Sequence, residues 1–193
     1  MAKERHYIYT WPDRLWHWVH ALSILGLAIT GFIIHFGSGD LKTLRFWHNL
    51  LGFIVAFDYL FWLVHMLVYG NLRHYVRGNS WQGILQQIRY YTVGIFRGER
   101  NPFHATPQKR LNPLQALAYL GLMFVLVPVQ GITGLLLWRV PASWDRYLPV
   151  IAEVHFFVAY LLVAFLIGHL YLATTGVTVF ADYKAMLTGW IEE

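Results

Sequence analysis

Histidine is the residue type whose number and placement in this chain could do chemistry. There are 10 in 193 residues, in a chain that is 57% hydrophobic and only 13% charged. A neutral imidazole is the commonest protein ligand for transition metals. His17, His20, His35, His48, His65, His155 and His169 all fall in long apolar runs, where a polar group is costly and marks function by default. One spacing is informative. His155 and His169 are fourteen residues apart, nearly four turns, so on a helix they share a face about 21 Å apart along its axis.

The elements that must position these histidines follow from the gaps between charges. Leu15–Phe36, Leu114–Trp138 and Val154–Thr175 contain no Asp, Glu, Lys or Arg, and Phe46–Tyr69 contains one, Asp58. Each run reaches the roughly 20 residues a helix needs to cross the hydrocarbon core. The backbone must satisfy itself inside lipid, which favours helices. The expected fold is all-α, an integral membrane four-helix bundle forming a single domain over residues 1–193, with helices at about 15–36, 46–69, 114–138 and 154–175. Soluble domains are nearer 25% charged, so an ordinary globule is excluded. With 0 cysteines the chain has no disulfide framework, no cysteine-ligated iron–sulfur centre, no covalently attached c-type haem and no thiol catalysis. Met1–Arg14 is polar and the first apolar run is span-length, so a cleavable signal is not expected.

Charge then orients the spans. Lys3, Arg5 and Arg14 precede the first. Arg73, Arg77, Arg89, Arg97, Arg100, Lys109 and Arg110 lie in the long connection 70–113, and Lys184 in the tail. The opposite side carries Lys42, Arg45, Arg139 and Arg146. The positive-inside bias places both termini and the 70–113 loop on the cytoplasmic side of the membrane. Within the loop, Trp81, Ile84, Leu85, Ile88, Tyr91 and Ile95 recur at helical spacing. They predict an amphipathic helix over about 80–96, lying on the membrane or on a partner subunit. The net charge of +5 is this loop bias facing anionic lipid, and no nucleic acid is implied.

With the spans oriented, the histidines pair by depth. His48 and His155 lie at the outer level, His17 and His169 at the inner level, each pair drawn from two helices. That is the arrangement two bis-histidine b-type haems need when stacked across a bilayer: two neutral imidazoles on opposite faces of the ring, in an apolar sleeve. Each of the four has a small residue four places on, Ala21, Gly52, Ala159 and Ala173, which lets a porphyrin approach the backbone one turn from its ligand. His20 is followed there by Ile24 and His65 by Tyr69. His20 is read as contacting a propionate, a quinone or a lipid head group. Zinc would need three or four ligands around one point, whereas these depths supply pairs.

On these residues the chain resembles the four-helix di-haem cytochrome b subunits that anchor bacterial formate dehydrogenases, nickel–iron hydrogenases and thiosulfate reductases. Asp13-Arg14-Leu15-Trp16-His17-Trp18 is similar to that family's first-helix ligand motif. Trp47-His48-Asn49-Leu50-Leu51-Gly52 is similar to the second, and Thr133-Gly134-Leu135-Leu136-Leu137-Trp138 to the end of helix 3. His155 and His169 match the helix 4 ligand pair in spacing. The resemblance implies two haem b groups, His17 and His169 on the inner and His48 and His155 on the outer. It implies electron transfer between an outer-face, periplasmic-side partner, either an iron–sulfur or a multihaem cytochrome c subunit, and membrane quinone. Substrate chemistry would then sit on a partner chain of a respiratory oxidoreductase.

The resemblance also places a quinone site at Asn112-Pro113-Leu114-Gln115, just before helix 3. Asn112 and Gln115 could hydrogen-bond a quinone carbonyl, and Asn112-Pro113 also reads as a helix cap. His65 stands where the family often carries Arg. Asp58 in mid-span is a second departure; Asp58 and His65, seven apart, share a face. Two other readings stand beside this one: a stand-alone di-haem cytochrome b quinol oxidoreductase, and a non-redox membrane anchor or transporter with incidental histidines.

Overall fold

A computed structural model describes residues 5–37, 39–68, 72, 75, 80–103, 106, 109, 111–139, 141–176 and 178–192. Lys3, Arg73, His74, Arg77, His104 and Arg110 lie outside the described residues, so part of the predicted cytoplasmic loop does too. Chain order is strand β1 (Arg5–Tyr7), helices α1 (Trp11–His35), α2 (Leu41–Val68), α3 (Trp81–Arg89), α4 (Pro113–Trp138), α5 (Leu148–Leu172) and α6 (Ala181–Thr188), and strand β2 (Trp190–Glu192).

Four of these helices, α1, α2, α4 and α5, are long and apolar enough to span a membrane. Their side chains are hydrophobic on every face, as a span in lipid requires. Phe57 and Ile167 remain 75% and 63% exposed, and few span residues, among them Val55, Met66, Met123 and Val158, are fully buried. Three of the four start earlier than charge alone suggests. α1 begins at Trp11 rather than 15, because Thr10 and Asp13 form a capping box with Pro12 in the first turn. α2 begins at Leu41 rather than 46, its first turn held by the Asp40 carboxylate, which accepts from Lys42 N and Thr43 N. α5 begins at Leu148 rather than 154, after a 3₁₀ turn over Ala142–Tyr147. Charged residues fall in these first turns because they reach the interface from a helix as easily as from a loop.

α4 is wound as a π-helix over Leu122–Leu126, just before Pro128. Proline has no N–H to give the carbonyl four residues back and its ring crowds that carbonyl, which explains the widened turn. The predicted amphipathic helix is α3, capped by Ser80 and continued by a π turn over Tyr90–Gly94 and a 3₁₀ turn over Ile95–Arg97. Gln87 and Tyr90 face inward while Trp81, Leu85 and Ile88 face out.

α1 packs along α2 and α4 along α5, giving two hairpins with a seam between them. At the end of the bundle where α1 begins and α5 ends, the chain is tied to itself. β1 and β2 pair antiparallel, Arg5 opposite Glu192 and Tyr7 opposite Trp190. Ile8 N donates to Gly189 O at 2.9 Å, the Arg14 guanidinium to Leu187 O, and Trp18 Nε1 to Met186 O at 3.1 Å. Gly189 has φ +90°, and a Cβ there would run into the Tyr7 ring and the Tyr9 carbonyl, so this turn requires glycine. The two ends of the described chain therefore lie on one face of the bundle, with α3 packed at the start of α4.

Candidate cofactor site

The seam holds two pairs of imidazoles. His48 from α2 and His155 from α5 have ring centroids 6.3 Å apart with planes rotated 73°. His17 from α1 and His169 from α5 are 6.2 Å apart with planes rotated 54°. Two metal–nitrogen bonds of about 2 Å, plus about 1 Å from each nitrogen to its ring centre, give a centroid separation of about 6 Å. Both pairs therefore have the separation of two imidazoles sharing one metal ion from opposite sides. Direct imidazole hydrogen bonding would bring the rings closer.

At the His48–His155 pair the free lone pair can be assigned. Thr30 Oγ1 lies 2.9 Å from His48 Nδ1 and 2.7 Å from Gly26 O. Thr133 Oγ1 lies 2.9 Å from His155 Nδ1 and 2.7 Å from Val129 O. Each hydroxyl donates its one hydrogen to the helix carbonyl a turn back and so accepts from the imidazole Nδ1–H. Nε2 then carries the lone pair, which is the nitrogen a metal needs. At His155 that lone pair accepts from the Gln130 amide at 3.1 Å, and the same amide's oxygen is buried without a partner among the described residues. Gln130 is thus poorly satisfied where it stands. Beside His48, a Cβ at Gly52 would meet no atom within 4 Å; the backbone one turn along from this histidine is bare.

The His17–His169 pair is held differently. Tyr119 Oη lies 3.3 Å from His169 Nδ1, and Phe165 stacks on His169 with rings 6.0 Å apart. Trp18 meets His17 edge-on at 5.3 Å. His17 Nδ1 and Trp16 Nε1 are buried without hydrogen-bond partners among the described residues. The set fits haem: imidazoles in opposed pairs, aromatic and aliphatic walls, and polar atoms unsatisfied in the protein alone.

The remaining sequence candidates separate from this seam. His20 is hydrogen-bonded to Asp58 and stacks on Trp16. Asp58 therefore faces α1, while His65 lies against Phe61. His35 stacks on Phe156. Asn112 and Gln115 make a reciprocal cap: Gln115 N donates to Asn112 Oδ1 at 2.8 Å and Asn112 N to Gln115 Oε1 at 3.1 Å. The Asn112 amide donates to Tyr91 Oη at 3.1 Å, and the residue is 1% exposed. Gln115 is half-buried and sits one turn before Tyr119 on the same face of α4.

Sequence reading missed Thr30, Gly31 and Gln130 as histidine contacts and quoted Thr133-Gly134 only as a motif. The signal was present: Ile-Thr-Gly followed by three aliphatic or aromatic residues occurs at Ile29 and again at Ile132. A Cβ at Gly31 would come 3.1 Å from His48 Cε1, and one at Gly134 3.1 Å from His155 Cε1.

Comparison with known proteins follows the same lines. A family model described as prokaryotic cytochrome b561 matches residues 8–189. The chain is 37% identical over 195 residues to "Putative cytochrome YdhU" of Escherichia coli (strain K12), covering 97% of this chain and 75% of that protein. It is 28% identical over 200 residues to "Probable Ni/Fe-hydrogenase B-type cytochrome subunit" of Cupriavidus necator, covering 86% and 78%. It is 24% identical over 200 residues to "Probable Ni/Fe-hydrogenase 1 B-type cytochrome subunit" of Escherichia coli (strain K12), covering 87% and 82%.

Proposed function

The chain belongs to the prokaryotic cytochrome b561 family, and from that premise we propose that it is the transmembrane electron-transfer subunit of a respiratory oxidoreductase complex. In this reading it holds two b-type haems in the bacterial inner membrane, between an outer-face redox partner and the quinone pool. The observation that carries the reading is the two imidazole pairs at 6.2 and 6.3 Å, both drawing one member from α5. Haem supplies reversible one-electron chemistry when bound. The chain's own part is to present Nε2 lone pairs and to wall the seam with apolar side chains that keep water out. The relatives named as hydrogenase cytochrome subunits favour a partnered subunit over a stand-alone oxidoreductase. The partner, an iron–sulfur or multihaem cytochrome c subunit, docks on the periplasmic face.

Quinone belongs at the inner level, near Gln115, Tyr119 and His169. Asn112 belongs to the same site: its Oδ1 caps Gln115 N and its amide donates one hydrogen to Tyr91 Oη, which leaves the second for a quinone carbonyl. Quinone takes two electrons and two protons to become quinol. With protons drawn from the cytoplasm and electrons from outside, each charge moved is worth about 2.3 kcal/mol per 100 mV of membrane potential.

The test is the reduced-minus-oxidised visible spectrum and haem content of the purified protein. Two haems per chain are expected, falling to one in His48→Ala, His155→Ala, His17→Ala or His169→Ala, and remaining two in His20→Ala or His65→Ala. Absence of b-type bands removes the redox reading. Reporter fusions after Arg100 and after Arg146 check sidedness: a periplasmic signal from the first inverts the orientation.

A further inference from the structure

The hydroxyls of Thr30 and Thr133 occupy equivalent places on different helices, and nothing in the electron-transfer reading requires them. Each stands one residue before a glycine that admits the histidine ring against the helix backbone. Each is 2.7 Å from its own helix carbonyl and 2.9 Å from Nδ1 of a histidine on the neighbouring helix. The inner pair has no counterpart of this arrangement. His17 Nδ1 has no partner among the described residues, and Tyr119 reaches His169 at the longer distance of 3.3 Å.

We propose that Thr30 and Thr133 are paired positioning residues that lock both outer histidines in the Nδ1–H form and lower the reduction potential of the outer haem. This rests on the haem-ligand reading above. The physical reasoning has two steps. A hydroxyl whose only hydrogen is committed to a carbonyl can only accept, so the imidazole must donate through Nδ1 and keep Nε2 for the iron. Donation through Nδ1 shifts electron density toward the ligating nitrogen and raises its basicity, which stabilises the more highly charged ferric state and lowers the potential. Because both histidines of the outer pair are held in this way and, among the described residues, those of the inner pair are not, the two threonines would steepen the fall in electron energy from the outer level to the inner one. The glycines serve the same end: a Cβ at either would stand 3.1 Å from the ring's Cε1 and push it by a few tenths of an ångström.

Potentiometric titration of the purified chain, followed in the haem α-band, tests the proposal. His48→Ala identifies which component belongs to the outer haem. Thr30→Val and Thr133→Val keep the side-chain shape and remove the hydroxyl; Thr30→Ser and Thr133→Ser keep the hydroxyl. Each Val variant is expected to raise the outer midpoint by about one decade in the oxidised-to-reduced ratio, about 59 mV for one electron. The inner midpoint should stay in place, and each Ser variant should return the parent value. If a Val variant loses the outer haem outright, retention in the matching Ser variant supports the hydroxyl's role, and loss in Ser overturns it. An unchanged outer midpoint in both Val variants overturns it as well, as does an equal shift of both haems. Retention of both haems in His48→Ala instead defeats the ligand reading, a separate result from any of these.

Discussion

His20 Nδ1 lies 2.8 Å from Asp58 Oδ2, joining α1 to α2 within the membrane, with the two side chains 15% and 10% exposed. This contact accounts for an acidic residue in mid-span: its partner is on the neighbouring helix rather than at His65 on its own. Polar contacts between membrane helices contribute about 1 kcal/mol. Asp58→Leu and His20→Leu should each lower the unfolding temperature in detergent, and the double variant should lose less than the sum of the two. Both haems should remain in all three. An additive double-mutant cycle would show that the pair contributes no coupling.

Alanine at Gly31 or Gly134 tests the close approach of helix to ligand. A Cβ at either position comes 3.1 Å from a histidine Cε1, so the ring must give way. Gly131, three residues before Gly134, faces outward with nothing within 4 Å. Gly131→Ala should gain up to about 1 kcal/mol of helix propensity and leave the spectrum alone. Gly31→Ala and Gly134→Ala should shift or deplete the outer haem band while sparing the inner. Three identical spectra would show that the rings need no such clearance.

For the quinone site, Gln115→Leu removes a polar group from the face of α4 that leads to Tyr119, and should raise the KM for quinone several-fold with both haems retained. Asn112→Ser keeps much of the cap, whereas Asn112→Ala should cost about 1 kcal/mol of stability. Unchanged turnover and inhibitor affinity in both Gln115→Leu and Asn112→Ser would place the quinone elsewhere.

Asp182, in the first turn of α6, gives a pH dependence. Burial holds its carboxyl above the ordinary 3.8, so the folded state binds the proton more tightly than the unfolded one. Stability is accordingly lost as pH rises from 3.8 to the raised folded value, and the loss is complete above it. Asp182→Asn should unfold at a higher temperature at neutral pH and show a flatter profile through that window. A lower unfolding temperature at neutral pH would mean that the charged carboxylate has a partner worth more than its desolvation.

The four spans were legible because lipid selects composition so strongly that charges retreat to the ends. Their starts were less so: Lys42, Arg45 and Glu153 sit on helices, and while caps at Thr10 and Asp40 mark where α1 and α2 begin, α5 starts without a side-chain cap. The meeting of His17 with His169, and of His48 with His155, was legible from depth, since fourteen residues on one helix fix two levels. The roles of Thr30 and Thr133 were hidden. A threonine in a membrane helix ordinarily bonds its own backbone, and only the neighbouring helix shows that its oxygen has a second contact. Asn112 shows the converse. Its uncharged amide before a span suggested a ligand contact and a helix cap alike, and the described residues display only the cap and the Tyr91 contact.

α5 lends one histidine to each pair, and those two residues are joined by a single unbroken helix. The interval between the two levels is therefore fixed by the rise of one hydrogen-bonded helix, about 21 Å for fourteen residues. Slight opening of the two hairpins would lengthen the reach across the seam at either level without altering that interval. The bundle behaves as a ruler with one graduated edge: lipids and docked partners can flex its width, while the step an electron must cover along its length stays constant.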